Sequence, residues 1–249
     1  MKTVAKRTML LAVAGVLLLA ARTDAGVSHV EAEETARLIA VLFDSGREVI
    51  DRNQTLIDDP HKGNKGFTPR VFEVQLAEEF RHRTGIDLKN LHGAHLPTTT
   101  RDLLLALVEA SKAIVAEAQA VINQRGVGYK NFIPATFGSQ TAARFSSKSN
   151  VRLKQTTLQP RNPNNAPDPY EEAVLRRLAT QPSQSVTITD KPEDEHALRL
   201  LSPIYYTKDC LKCHGAPAGE LDISGYPKEG AQEGDLAGAI SVSIPLEAR

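Results

Sequence analysis

The sequence predicts an α+β protein in which several helices, long ones first, precede and flank an antiparallel sheet. Three observations lead there. Apolar residues recur at helical spacing through the first half of the chain, strand-like alternation is confined to the second half, and the two textures do not interleave as they would in a doubly wound sheet. The core must be built from Leu, Val, Ile and Ala, because aromatic residues make up 5% of the chain and Trp is absent. The 30 Lys and Arg residues balance 30 Asp and Glu, so no basic field points to a nucleic-acid partner.

Residues 1–25 read as a signal peptide. Lys2, Lys6 and Arg7 precede the apolar run from Met9 to Ala21, and Thr23-Asp24-Ala25 supplies small residues before a cut. The run is shorter than the roughly 18 residues a spanning helix needs, which favours a cleaved peptide over an anchor. A membrane association is expected only if the peptide is retained. Residues 26–249 are expected to form a single domain in the periplasm of a bacterium.

Ser28-His29-Val30-Glu31 fits a capping box, and Val30, Ala36, Leu38, Ile39, Val41, Leu42, Val49, Ile50 and Leu56 follow on a helical period until Asp58-Asp59-Pro60. Residues 61–66, HKGNKG, read as a loop. Thr68-Pro69 opens a second helix and Gly85 closes it. A third and longest helix is expected from about Thr99 to Arg125, with Leu104, Leu107, Val108, Val115, Ala118, Val121 and Ile122 on one stripe and Gly126 as its C-cap. From Gly128 a loop leads into a short helix. Val151 begins a strand, Pro169 starts another short helix, and Ser185, Ala197 and Leu236 begin three further strands. Asn53-Gln54-Thr55 has the form of a glycosylation acceptor but falls inside the first helix.

Both cysteines of the chain lie in Cys210-Leu211-Lys212-Cys213-His214, between two predicted strands. Cys-x-x-Cys-His is the attachment signature of c-type haem: two thiols form thioethers with the vinyl groups, and the adjoining imidazole binds iron. Zinc would want four protein ligands, and no further cysteine exists. A thioredoxin-like pair would want a βαβ setting that is missing here, and a dithiol or surface disulfide is the bland alternative. Export and haem attachment support each other, because an exported chain with two free thiols would normally oxidise them.

In this order, FIPATFG, LKQTTLQPRNPNNAPDPYEEAVL, SPIYYTKDCLKCHGAP and GYPKEGAQEGDLAGAISVSIPL resemble the DUF3365 family of Tll0287-like exported c-type haem domains. The Arg-Asn-Pro-x-Asn turn of Arg161 to Asn165 and the later Gly-Asp-x-x-Gly-Ala-Ile strand narrow the resemblance beyond the haem motif itself. It implies a PAS-like antiparallel sheet with helices beside it and one covalent haem c, held by Cys210, Cys213 and His214, with His214 as the proximal iron ligand. Some relatives join this module to signalling domains. This chain stops at Arg249, just after its last strand, so a separate signalling protein or redox partner is expected.

The sixth ligand is less legible. The only methionines, Met1 and Met9, fall in the signal, and both cysteines are occupied by thioethers. Of the remaining histidines, His82 sits among arginines on a polar helix face and His29 in a first turn. The loop residues His61, His92 and His95 are the distal candidates. Arg161 reads as a turn-stabilising donor in its own Asn/Pro-rich loop, or as a partner for a haem propionate. Tyr205 and Tyr206 point to opposite faces by strand alternation, so one of them can pack on the haem. The functional expectation is sensing of redox state or of CO, NO or O2. A periplasmic electron carrier is the alternative, and a peroxidase-like enzyme a third class, needing an open iron and a placed distal acid/base.

Overall fold

The computed structural model describes residues 29–180, 187–192 and 196–246. The predicted signal peptide, 1–25, and Ser28 of the expected capping box lie outside them. Helix α1 (His29–Arg52) is buried over most of its circumference, because the sheet lies on one side of it and three other helices on the other. Its expected stripe is largely right, but Val30 is 78% exposed. The helix breaks earlier than the proline predicts. Asn53 turns its side-chain amide back onto the Val49 carbonyl (2.7 Å) and onto Gln75 Oε1 (2.7 Å), and only the short α2 (Gln54–Ile57) follows. That use of the Asn53 amide also removes it from the solvent-facing role of a glycosylation acceptor.

Helix α3 (Pro69–Thr84) has the predicted ends: Thr68 Oγ1 accepts from the Val71 amide, and Gly85 adopts φ 75° at the C-cap. The segment after it was expected as loop, but Leu88–Ala94 forms a 3₁₀ turn capped by Asp87. The third long helix is shorter than predicted. It runs as α4 (Thr98–Glu117) and, after a break at Ala118, α5 (Gln119–Ile122); Gly126 instead turns the chain so that its amide donates to the Pro60 carbonyl (2.8 Å). Val121, placed on the apolar stripe by its spacing, is exposed. Helix α6 (Pro134–Lys148) is longer than the short helix expected there, because Phe137, Gly138, Thr141, Ala142 and Phe145 give it a buried face.

Four strands, β1 (Arg152–Thr156), β2 (Ile188–Asp190), β3 (Ala197–Tyr205) and β4 (Leu236–Pro245), form one antiparallel sheet in the order β1-β4-β3-β2. The fold is α+β, as predicted. One sheet face carries Leu153, Leu198, Leu200, Ile240, Val242 and Ile244 into the main core with α1 and α6. The other carries Leu201 and Ala239 against Val174, Leu175 and Leu178 of α7 (Pro169–Ala179), with Ile188 of β2. Strand alternation thus supplies two cores from one sheet.

Helix α7 is fixed to the sheet by charge as well as by packing. Asp168 and Glu171 form a capping box, each side chain accepting from the other's backbone amide (2.8 and 2.9 Å). The same carboxylates bind the sheet: Arg199 of β3 donates to the second oxygen of Asp168 (2.7 Å) and stands over the Tyr170 ring, while Lys154 of β1 donates to Glu171 Oε2 (2.6 Å), which also takes the Asp168 amide.

The fold has two distinct ends. Thr35 of α1 meets Thr100 of α4 (2.7 Å), so these two helices run side by side from the same end, with the 3₁₀ turn Leu88–Ala94 packed against α3 and α4 there. At the opposite end gather residues 58–66, 123–131 and 157–165 and the excursion 206–235 between β3 and β4. Gly126 bonds to Pro60, the Lys130 amide donates to Asp58 (3.2 Å), and the Ser139 hydroxyl bonds to Asn165 (3.2 Å).

Two outcomes test this frame. Asp168→Ala removes a helix cap and a partner of buried Arg199, and is expected to cost about 2 kcal/mol in urea unfolding. Burial opposes ionisation of Asp168, but the Glu171 amide and the Arg199 guanidinium outweigh it and hold the carboxyl below its ordinary value. A depressed carboxyl stabilises the fold above its unfolded value of about 4 and loses that contribution as pH falls through the folded value. The difference between wild type and variant is therefore expected to be full at pH 6 and to shrink as the pH is taken below about 4. Gly238, with φ 155°, lies where the β3–β4 register shifts between Ile204 and Tyr205, and a Cβ there would meet the Thr156 carbonyl oxygen at 2.4 Å. Gly238→Ala is expected to lower stability by roughly 1–3 kcal/mol, read as a fall in the urea midpoint.

Candidate haem-attachment site

The excursion leaves β3 at Tyr205 and re-enters the sheet at Leu236, and it is pinned at its neck by reciprocal bonds: the Tyr206 amide to the Asp235 carbonyl and the Gly234 amide to the Tyr206 carbonyl, both 2.9 Å. Directly inside the neck, α8 (Leu211–His214) is a single turn. The amides of Cys213 and His214 both donate to the Cys210 carbonyl (3.1 and 3.0 Å), so the two free thiols and the imidazole issue from one compact turn. The motif lies between two strands, as the sequence predicts, and its residues form a helical turn. The turn lies near the C-terminal end of α1. Burial, with Asp209 beside it, pushes the Asp51 carboxyl up, and Lys212 of the motif is paired with Asp209 (2.7 Å).

The His214 ring is held on two sides. Its Nδ1 lies 2.8 Å from Glu229 Oε2, and the Tyr206 ring packs across it with centroids 5.0 Å apart. Burial works against a charge on Glu229, yet Arg161 and His214 outweigh it, so the carboxyl is held below its ordinary value. A carboxylate can only accept, so Nδ1 carries the proton of this bond, and Nε2 is the ring nitrogen left to face a ligand. Tyr206, by contrast, is pushed up to about 12 by burial and the nearby Glu229, and remains a neutral phenol. Its hydroxyl stands 3.5 Å from Nδ1. The alternation of Tyr205 and Tyr206 thus resolves with Tyr206 against the motif.

Arg161 binds this loop together. Its Nε and Nη2 grip both oxygens of Glu229 (2.8 and 3.0 Å), Nη1 donates to Asp222 Oδ2 (2.6 Å), and Nη2 also reaches the carbonyl of Cys213 (2.9 Å). Asp222 has a fully buried side chain. Burial alone would raise its pKa, but Ser224, Arg161 and the Tyr226 amide hold it well below the ordinary range. The same buried surroundings, Asp222 included, push the Cys213 thiol up. Arg161 therefore does not stabilise its own turn, as its position suggests; Asn162 caps that turn by accepting from the Asn164 amide (3.0 Å). Each of its three nitrogens makes at least one bond within the loop, and Nη1, which has two N–H groups, gives one to Asp222. A cleft of about 480 Å³ opens beside it, lined by Gln159, Pro160, Tyr226, Pro227, Lys228 and Glu229.

The distal candidates separate. His92 and His95 lie in and just after the 3₁₀ turn at the α4 N-terminus, alongside the Thr35 end of α1, whereas the motif lies at the Asp51 end. The sixteen residues between Thr35 and Asp51 span about 24 Å of helix axis. These two histidines are thus not brought to the motif. His61, exposed on the loop after α2, is at the motif end: Pro60 receives the Gly126 amide, and Tyr129, three residues on, is electrostatically coupled to Cys213 and Asp222. Glu229, Asp222 and the role of Tyr206 escaped the sequence reading. The stretch that carries Glu229 was singled out for its resemblance, but no spacing rule links one carboxylate among 30 acidic residues to His214.

Among the described residues no group of three or more His, Cys, Asp or Glu side chains is arranged to hold a metal ion, and no helix is long and apolar enough to cross a membrane. No curated protein matches the chain. Among solved structures, the crystal structure of the cyanobacterial heme-protein Tll0287 aligns with a TM-score of 0.41 and 18% identity, over 61% of this chain and 99% of that one. The family model Tll0287-like matches residues 27–245, nearly the whole length, and the chain belongs to the Tll0287-like family.

Proposed function

We propose that the protein is an exported monohaem c-type domain that senses redox state or a diatomic gas, with haem bonded through Cys210 and Cys213 and His214 as proximal iron ligand. Membership of the Tll0287-like family supports a haem protein in general. The observation that carries the specific reading is the His214–Glu229 pair. A ring whose Nδ1–H is fixed on a carboxylate has the tautomer and orientation of a metal-ligating histidine, with Nε2 as donor. A single imidazole with two thiols is a poor site for a bare ion but suits a porphyrin, which brings four nitrogens of its own. Exposed Leu221, Ile223 and Tyr226, on the loop clasped to the motif by Arg161, add apolar surface that a macrocycle can use.

When bound, haem supplies one-electron exchange and, at an open sixth position, a site for CO, NO or O2. The chain's own residues set the conditions. Glu229 makes the His214 imidazole a stronger donor, which favours ferric iron and lowers the potential, and the absence of Met beyond Met9 removes the sulfur ligand that would raise it. His61 is the distal candidate that the fold leaves at this end. It stands on an exposed loop, which suits a sixth position that exchanges ligands. The reading as an electron carrier rests on a different observation: Cys210, Cys213 and His214 are all only partly buried, so an attached haem would have an edge open to a partner protein.

Protein matured in a periplasm with the c-haem attachment machinery is expected to keep its haem through acid-acetone extraction and to give a c-type pyridine haemochrome. Cys210→Ser with Cys213→Ser is expected to lose it, and an unchanged covalent haem content would overturn the attachment. His214→Ala is expected to lose the wild-type Soret band or to fail to mature. Ferrous protein that takes up CO, with His61→Ala raising the CO affinity or turning low-spin iron high-spin, supports sensing; low-spin iron that refuses CO in both proteins favours the carrier.

A further inference from the structure

We propose that Arg161 is a positioning residue for the iron ligand, holding Glu229 against His214 Nδ1 and thereby setting the donor strength of the ring. The inference rests on the haem reading above and adds to it a residue that lies outside the motif, in the loop that follows β1.

Three pieces of geometry carry it. First, the grip is bidentate: Nε and Nη2 take the two oxygens of Glu229 separately, an arrangement available to a planar guanidinium and not to an ammonium. Glu229 Oε2 receives both the Arg161 Nη2 bond and the His214 Nδ1 bond, so the guanidinium fixes the very oxygen that the imidazole uses. Second, the same nitrogen reaches the Cys213 carbonyl, so one side chain ties the peptide of the second thiol to the carboxylate behind the histidine. Third, the guanidinium is itself anchored, by the buried carboxylate of Asp222 and by the Tyr226 ring, whose centroid is 5.5 Å from Cζ. Asp222 is in turn fixed by the Ser224 hydroxyl (2.6 Å) and by the amides of Ser224 and Tyr226. The excursion holds Glu229 poorly by backbone alone: its own bonds, from Gly219 to Lys228 and from Lys228 to Glu220, close a small loop within itself, and only Ala231 returns to the motif, at the His214 carbonyl (2.8 Å). Arg161 enters from β1's far end and supplies the missing constraint.

The test is Arg161→Lys, which keeps the charge and removes the fork. In haem-loaded protein it is expected to raise the reduction potential and to lower the iron–histidine stretching frequency, both in the direction produced by Glu229→Gln, and the double variant is expected to add nothing further. A purely structural role would move neither quantity. In apo-protein, nitrogen-15 NMR of His214 is expected to show a single Nδ1–H tautomer in the wild type and a mixture in Arg161→Lys, with amide exchange across Gly219–Gly230 faster by about tenfold. Asp222→Asn, which loosens the same guanidinium without altering it, is the second variant should Arg161→Lys fail to fold, and the same shifts are expected. An unchanged tautomer and an unchanged potential in the folded variant overturn the proposal. If the wild type takes up no haem, the haem reading falls, and the tautomer and exchange measurements on apo-protein still decide the role of Arg161.

Discussion

The β3–β4 ladder is the constraint on which the rest of the structure depends. It pairs Ala197 with Pro245 at one end and Tyr205 with Leu236 at the other, and it lies in the middle of the sheet. Its two faces feed different cores, Leu198, Leu200, Val242 and Ile244 toward α1 and Leu201 and Ala239 toward α7, so a one-residue slip would exchange the two faces and break both. Because this register is fixed, the position of the neck at Tyr206 is fixed too. The motif is delivered to a defined place although it sits on an excursion with little regular structure of its own.

Within that excursion, charge takes over where apolar burial is scarce. Leu221, Ile223 and Tyr226 are exposed, so the loop has no core to rest on, and Arg161, Asp222 and Glu229 hold it instead. Burying a carboxylate is costly unless it is paired and hydrogen-bonded. Asp222 meets that condition several times over, with Arg161, the Ser224 hydroxyl and two amides, whereas Glu229 divides its bonding between Arg161 and His214. Asp222 is thus the anchor, and Glu229 is the working end of the same network. The motif and outer-face networks share a logic: at α7, Asp168 and Glu171 likewise each serve a backbone amide and a cation from the sheet.

What the sequence made legible was local. Thr68-Pro69 and Gly85 bound α3 because caps and αL glycines act through neighbours in the chain, and Pro169 likewise starts α7. The turn at Cys210–His214 was readable because its chemistry requires close spacing. What failed was decided at a distance. The early end of α1 depends on Gln75 of another helix accepting from Asn53, and the shortening of the third helix and the position of Gly126 depend on the Pro60 carbonyl. Arg161 was noticed, but its protein partners were not legible, since its bonds run to residues 52 to 68 positions away rather than to its own turn. The resemblance to a family compensated in part, because it marked the GYPKEG stretch without saying which side chain in it mattered.

The two ends of the fold finally sort the histidines. His29 begins α1 and the His196 carbonyl accepts from Leu246 at the close of β4, so both lie at the end of the molecule away from the neck, with His92 and His95 beside them. His82, exposed near the C-terminus of α3, is carried toward that end as well, since α3 runs back along α1 from Gln75 against Asn53 to Arg83 against Asp44. Only the 58–66 loop brings a second described imidazole to the motif end. At the motif, the His214 ring is held by the carboxylate of Glu229, and that carboxylate by the guanidinium of Arg161. His61, by contrast, stands on an exposed loop and is tied there through its backbone, its amide donating to Asp59 Oδ1 (2.8 Å). Under the haem reading proposed above, a firmly held His214 opposite a histidine on an exposed loop is an arrangement that suits a sensor, because ligand exchange at the loop can proceed while the attachment holds.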